Sequence, residues 1–155
     1  MKIDVGKLLD DAPGAIAEHQ LDDTLPLPDR GEAVAQGTVR LNRLDRSVLA
    51  HFDITANVNL NCDKCLESFR HQLPLSFDRE YLLAPSIDPE ALFVDGKILD
   101  TDPAVAQEIL ISLPLQAVCK PDCQGLCQEC GINLNTTNCE HLINGGTTEE
   151  KNQQD

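Results

Sequence analysis

The sequence predicts an α+β fold: mainly antiparallel β-sheet, one packed helix, and a small cysteine-rich ribbon at the C-terminal end. Three observations carry this. Between Val48 and Leu60, the apolar Val48, Ala50, Phe52, Ile54, Ala56, Val58 and Leu60 alternate with His51, Asp53, Thr55, Asn57 and Asn59, the period of a strand with one dry face. A single helical stripe, Val105, Ile109 and Leu113, follows much later. Five of the seven cysteines then crowd between Cys119 and Cys139.

Taken in order, residues 2–20 carry Ile3, Val5, Leu8, Leu9 and Ile16 around Pro13 and Gly14, a pattern that suits a short strand or helix followed by a turn. From Leu21 to Gly31, Pro26, Pro28 and Gly31 stand among acids, and the stretch reads as a surface connection. Val39 and Leu41 alternate with Thr38, Arg40 and Asn42, and the polar residues after them turn the chain back into the long strand, so a hairpin is expected. Leu73, Leu75 and Phe77 mark a further strand, continued by Tyr81 and Leu83 past an expected shift of face near Asp78. Pro74 favours an edge or an early position in this strand. Residues 84–102 form an acidic loop in which Ala91–Val94 can add a short strand. A helix is then expected with Asp102 as cap and Pro103 in the first turn, with Leu110 broadening the stripe and Pro114 ending it. Its apolar face should pack on the sheet.

These elements divide the chain into a sheet-plus-helix domain at 1–118, a metal-binding ribbon at 119–143 and a disordered tail at 144–155. A length of 155 residues suits one ordinary domain with a small appendage. Neither a signal-length apolar run at the start nor a membrane-length stretch elsewhere is present, so a cytoplasmic, non-membrane protein is expected. In a reducing compartment a disulfide framework is disfavoured, and an odd number of cysteines cannot all pair within one chain. Metal or redox chemistry remains.

The candidate ligands are Cys62, Cys65, Cys119, Cys123, Cys127, Cys130, Cys139 and His141. Thiolate and imidazole hold Zn²⁺ tetrahedrally, and Cys62-x-x-Cys65 and Cys127-x-x-Cys130 can each grip an ion from a tight turn. Gly131 suits the turn behind the second pair because glycine accepts positive φ. Several groupings satisfy the spacing. Cys127, Cys130, Cys139 and His141 make a compact set of four, with Cys119 and Cys123 joining Cys62 and Cys65. Alternatively, Cys119, Cys123, Cys127 and Cys130 form one site, or Cys62 and Cys65 pair with Cys127 and Cys130. One or two zinc ions are implied, and closed Cys₄ or Cys₃His shells are structural, because catalytic zinc keeps a position open.

The formal net charge of −14 sets the partner class. An acidic chain repels a phosphate backbone at long range and attracts basic proteins. Arg40, Arg43 and Arg46, with Lys64 and Arg70 beyond the strand, form the one basic concentration, and the three arginines are a candidate contact for RNA phosphate or an acidic partner. His19, His51 and His71 show no triad-like arrangement, and no phosphate-binding glycine loop occurs, so neither an enzyme nor a small-molecule substrate is expected. Two alternatives share the cysteine pattern: a thiol or rubredoxin-like electron-transfer protein, and a nucleic-acid-binding zinc ribbon.

The parts occur in a recognisable order: R-L-N-R-L-D-R, then C-D-K-C-L-E-S-F, an acidic loop, E-I-L-I-S-L-P-L, and C-K-P-D-C-Q-G-L-C-Q-E-C-G-I-N-L-N. This order resembles the YceD family, the large ribosomal RNA subunit accumulation proteins. The match is carried by Cys62, Cys65, Leu66, Leu113–Leu115 and Cys119–Asn135. The resemblance implies a bacterial or plastid factor for synthesis, processing or stability of the large-subunit 23S ribosomal RNA. Combined with the charge, it implies a basic ribosomal protein or large-subunit assembly intermediate as partner, with contact to the RNA itself indirect.

Overall fold

A computed structural model describes residues 1–142, so the tail expected at 144–155 lies outside the described residues. The chain forms two compact units, one of Met1–Asn59 with Arg70–Pro114, the other of Leu60–Phe69 with Leu115–Asp155. The second unit therefore takes in the connection between two strands as well as the C-terminal segment.

The first unit is built on a four-stranded sheet of β2 (Ile16–Leu27), β3 (Gly31–Arg43), β4 (Ser47–Asn61) and β5 (Ser68–Leu82), ordered as in the chain. The alternation in β4 has its expected result: Val48, Ala50, Phe52, Ile54, Ala56 and Val58 are buried, and the residues between them are not. Each fully buried aliphatic or aromatic side chain contributes about 1.5–3 kcal/mol. Phe52 stacks on Phe77 of β5 with ring centroids 4.7 Å apart. The hairpin from β3 to β4 is present, with Arg43 opposite Val48. Gly37 is required within it, because a Cβ there would meet the Asp53 carbonyl oxygen at 2.3 Å.

Several expectations need correction. Residues Leu21–Leu27 are not a surface connection but the second half of β2, paired antiparallel to β3 through Leu27 opposite Gly31. Leu21, Leu25 and Leu27 are buried. Pro26 disguised this strand, yet an edge strand tolerates a missing N–H. The turn itself is confined to residues 28–30, where Asp29 has φ 57°. Along β5 no shift of face occurs near Asp78. Leu75, Phe77 and Tyr81 stay on the buried side, and Arg79 keeps the phase by lying over the Phe77 ring at 5.1 Å while pairing with Glu108 at 2.7 Å. Pro74 does lie in an edge strand.

Ala91–Val94 forms no strand, only a parallel bridge between Leu82 and Phe93. The small sheet instead pairs β1 (Lys2–Asp4) with β6 (Ile98–Asp100), and a short α1 (Gly6–Asp10) follows β1. The long helix α2 runs from Asp102 to Ser112, with Thr101 rather than Asp102 at the N-cap position. Thr101 gives its hydroxyl to the Met1 carbonyl at 3.0 Å and makes no side-chain cap. Pro103 lies in the first turn, and Ala104, Val105 and Ile109 are buried.

Candidate metal centre

The second unit contains all eight candidate ligands. They fall into two groups of four, Cys62, Cys65, Cys119 and Cys123, and Cys127, Cys130, Cys139 and His141, with the ligand atoms of each group within 4.8 Å of one another. Among the groupings that spacing allowed, this geometry selects one.

Each group starts from the same turn. The Cys62 carbonyl accepts from Leu66 N at 2.8 Å, and Cys62 N donates to the Glu67 carbonyl at 2.9 Å. Likewise the Cys127 carbonyl accepts from Gly131 N at 2.8 Å, and Cys127 N donates to the Ile132 carbonyl at 2.8 Å. Such turns aim backbone N–H groups at the first sulfur. Leu66 and Gly131 take positive φ, 62° and 72°, to close them.

The first group is buried except for the half-buried Cys119. Asp63 fixes it by pairing with Ala117 twice, donating its backbone N–H to the Ala117 carbonyl at 2.7 Å and accepting from Ala117 N at its side-chain Oδ2 at 2.7 Å. Gly125 lets the C-terminal segment approach, since a Cβ there would lie 3.1 Å from the Lys64 carbonyl oxygen. Cys119 N donates to Cys62 Sγ at 3.4 Å, and Asn135 Nδ2 donates to Cys123 Sγ at 3.4 Å. Asn135 and Asp63 were missed as supporting residues. The N-L-N run after Gly131 was the available signal, but its target depends on a fold not visible in spacing.

Burial pushes the Cys62 thiol up, yet N–H donors from Cys119, Cys65 and Lys64 outweigh this and hold it down at about 6. In the second group, N–H groups of Cys130 and Glu129 likewise hold Cys127 at about 6. Burial and the neighbouring sulfurs push Cys119 up to about 12. Cys139 rises to about 11; the His141 backbone pulls it down, but the Cys130 side chain and burial prevail.

The donor set fits a tetrahedral metal. Sulfurs around zinc at 2.3 Å stand about 3.8 Å apart, and Cys62–Cys123 and Cys65–Cys119 lie at 3.8 and 3.7 Å. A disulfide would need about 2.05 Å, and all seven cysteines are free. The second group is less regular, with Cys130–Cys139 at 3.2 Å, Cys139–Cys127 at 3.5 Å and His141 Nδ1 at 3.1 Å from Cys139 Sγ. Cys130 and His141 are exposed. A metal bound by either group would have a closed four-ligand shell and would crosslink chain segments, with no position for a substrate.

The arginines lie elsewhere, in the first unit. Arg40 is exposed on β3, in register with Glu18 on one side and His51 on the other. His51 Nδ1 lies 2.6 Å from Asp78, so this face is of mixed charge. Arg43 is half-buried and gives Nη1 to the Leu44 carbonyl. Arg46 is exposed in the turn.

The family profile described as large ribosomal RNA subunit accumulation protein YceD matches residues 50–155, which include both turns and both ligand groups. The chain belongs to the YceD family. An uncharacterized protein of Mycobacterium tuberculosis is 29% identical, covering 86% of this chain and 70% of the relative. A Mycobacterium leprae uncharacterized protein is 27% identical over 62% of this chain and 47% of its own length. A chloroplastic YCED homologue of Zea mays, named for large ribosomal RNA subunit accumulation, is 46% identical over 26% of this chain and 14% of its own length. No solved structure matches. No described helix is long and apolar enough to cross a membrane.

Proposed function

We propose that this YceD-family chain is a non-catalytic factor for accumulation of the large-subunit 23S ribosomal RNA, acting in the cytoplasm on a basic ribosomal protein or an assembly intermediate that contains one. The single observation that carries this is the family match over 50–155. The net charge of −14 selects the partner class, because it favours encounter with basic protein and opposes direct binding of phosphate backbone. Zinc in the two ligand groups would be structural, holding the second unit in a presentable form.

Depletion of the protein with quantification of both ribosomal RNAs tests the reading. Large-subunit RNA should fall relative to small-subunit RNA, and free large-subunit precursors should change in gradient profiles. Unchanged ratios and profiles reject it.

A rubredoxin-like electron-transfer role is the second reading, favoured by the four-thiolate composition of Cys62, Cys65, Cys119 and Cys123. Metal analysis separates the two: tightly held zinc supports the scaffold, whereas iron with a reversible couple supports electron transfer.

A further inference from the structure

The two ligand groups differ in the access they give an oxidant. In the first, Cys62, Cys65 and Cys123 are buried and Cys119 is half-buried, with Phe69 and Val118 packed against the cluster. In the second, Cys130 is exposed while Cys127 and Cys139 are buried. Cys130 Sγ lies 3.2 Å from Cys139 Sγ, closer than Cys139 to Cys127 at 3.5 Å and closer than the 3.8 and 3.7 Å pairs of the first group. That separation is also shorter than the roughly 3.8 Å between two sulfurs on tetrahedral zinc. An accessible sulfur poised beside a second one distinguishes redox-responsive cysteines from inert ones.

The same pair brackets the segment that supports the first group. Between them, Leu134 N donates to the Gly125 carbonyl at 2.9 Å. Asn135 Oδ1 accepts from Gln124 N at 2.9 Å, and Asn135 Nδ2 donates to Cys123 Sγ at 3.4 Å. A bond from Cys130 to Cys139 would close this segment into a short ring, so that a covalent tie replaces the metal there and Asn135 keeps its place against Cys123.

We propose that Cys130 and Cys139 form a peroxide-responsive disulfide that releases the metal of the second group and leaves the first group loaded. The Cys130 sulfur attacks one oxygen of hydrogen peroxide, the O–O bond breaks, and the departing oxygen takes a proton and leaves as water. Cys130 is then a sulfenic acid. The Cys139 sulfur attacks the Cys130 sulfur, the S–O bond breaks, and the oxygen leaves as a second water after protonation. The two sulfurs together lose two electrons, and the peroxide gains them. Cys127, the buried third sulfur, stays a thiol. With His141 it offers only two ligands, too few for a closed four-ligand shell, and the ion is lost.

The test adds excess hydrogen peroxide to the zinc-loaded full chain and reads released zinc with a chromogenic chelator, against a peroxide-free control. One of two bound equivalents should leave in a peroxide-dependent phase about tenfold or more faster than the other. Digestion after thiol alkylation should find Cys130 joined to Cys139, with Cys127 and the four cysteines of the first group alkylated. A thiol reductant with added zinc should restore two equivalents. C130H keeps a ligand at the exposed position and removes the reacting thiol, so it should hold both equivalents and lose the fast phase. Loading of fewer than two equivalents by the unmodified chain, equal release from both groups, a disulfide at any other pair, or release without a disulfide overturns the proposal. Should C130H not take up the second zinc, the disulfide map of the unmodified chain decides alone.

Discussion

Cys62-Asp63-Lys64-Cys65-Leu66 and Cys127-Gln128-Glu129-Cys130-Gly131 make the same turn, with the same pair of backbone hydrogen bonds and the same positive φ at the fifth residue. They differ in what completes them. The first turn meets Cys119 and Cys123, more than fifty residues away, in a largely buried cluster packed by Phe69 and Val118. The second meets Cys139 and His141 a few residues on, with Cys130 and His141 exposed. One metal would close a long loop, the other a short one. Because the chain entropy lost on closure grows with loop length, the first site has more order to maintain and more packing with which to maintain it.

The largest effect that follows is on the order of the second unit. C123S should abolish metal at the first site, leaving one bound equivalent per chain instead of two. Amide exchange over residues 60–69 and 115–126 should accelerate by about a hundredfold or more, as expected when a cooperative unit opens. C139S should remove the other equivalent and change exchange over 60–69 by less than about threefold. Equal loosening of 60–69 in both variants would break the comparison. A graded chelator titration sharpens it: metal should leave the exposed second site about tenfold faster than the buried first site, read as two kinetic phases, of which C139S keeps only the slow one.

How far this was legible from the sequence varied by element. The β4 strand was plain, because a strict alternation over thirteen residues admits no other period. The second half of β2 was hidden, because Pro26 and the acids around Leu21 and Leu25 imitate a loop unless the neighbouring strand is known. Arg79 broke the apolar rhythm of β5 although it lies over Phe77, since a long side chain can cover a ring while its charge reaches Glu108. All eight candidate ligands could be named from residue type and spacing, but their division into groups could not. That division depends on Asp63 pairing with Ala117 and on Gly125 fitting against Lys64, contacts between segments whose separation in sequence carries no signal.

A smaller effect concerns pH in the metal-free chain. Cys62 and Cys127 have folded values near 6 against an ordinary 9.0. Depressed values stabilise the fold fully above the ordinary value, and this contribution fades as pH falls from 9.0 through about 6. The metal-free protein should therefore lose stability on acidification across that window. C62S and C127S should each flatten the dependence, measured as denaturation midpoint against pH. Thiolate absorbance should show Cys62 and Cys127 ionising early, with Cys123 also below its ordinary value, while Cys119 and Cys139, pushed up to about 12 and 11, ionise late. Midpoints independent of pH between 6 and 9 would contradict the assigned N–H donors.

The smallest effect separates the turns themselves. Leu66 occupies at φ 62° a conformation that Gly131 reaches freely at φ 72°, and Leu66 is 66% exposed, so little packing compensates it. A non-glycine residue in this region costs about 1 kcal/mol or more. L66G should relieve that strain and, after the entropy that glycine adds to the unfolded chain, change stability by less than about 1 kcal/mol, in the stabilising direction. G131A should destabilise by about 1 kcal/mol or more, because it imposes on the second turn the strain the first already carries. No neighbouring atom lies within 4 Å of a Cβ built at Gly131, so its cost would be conformational and not steric. Thermal midpoints of the metal-loaded variants check both signs. If L66G destabilises by more than about 1 kcal/mol, the exposed leucine makes a contact that outweighs its strain, and the two turns are alike in backbone only.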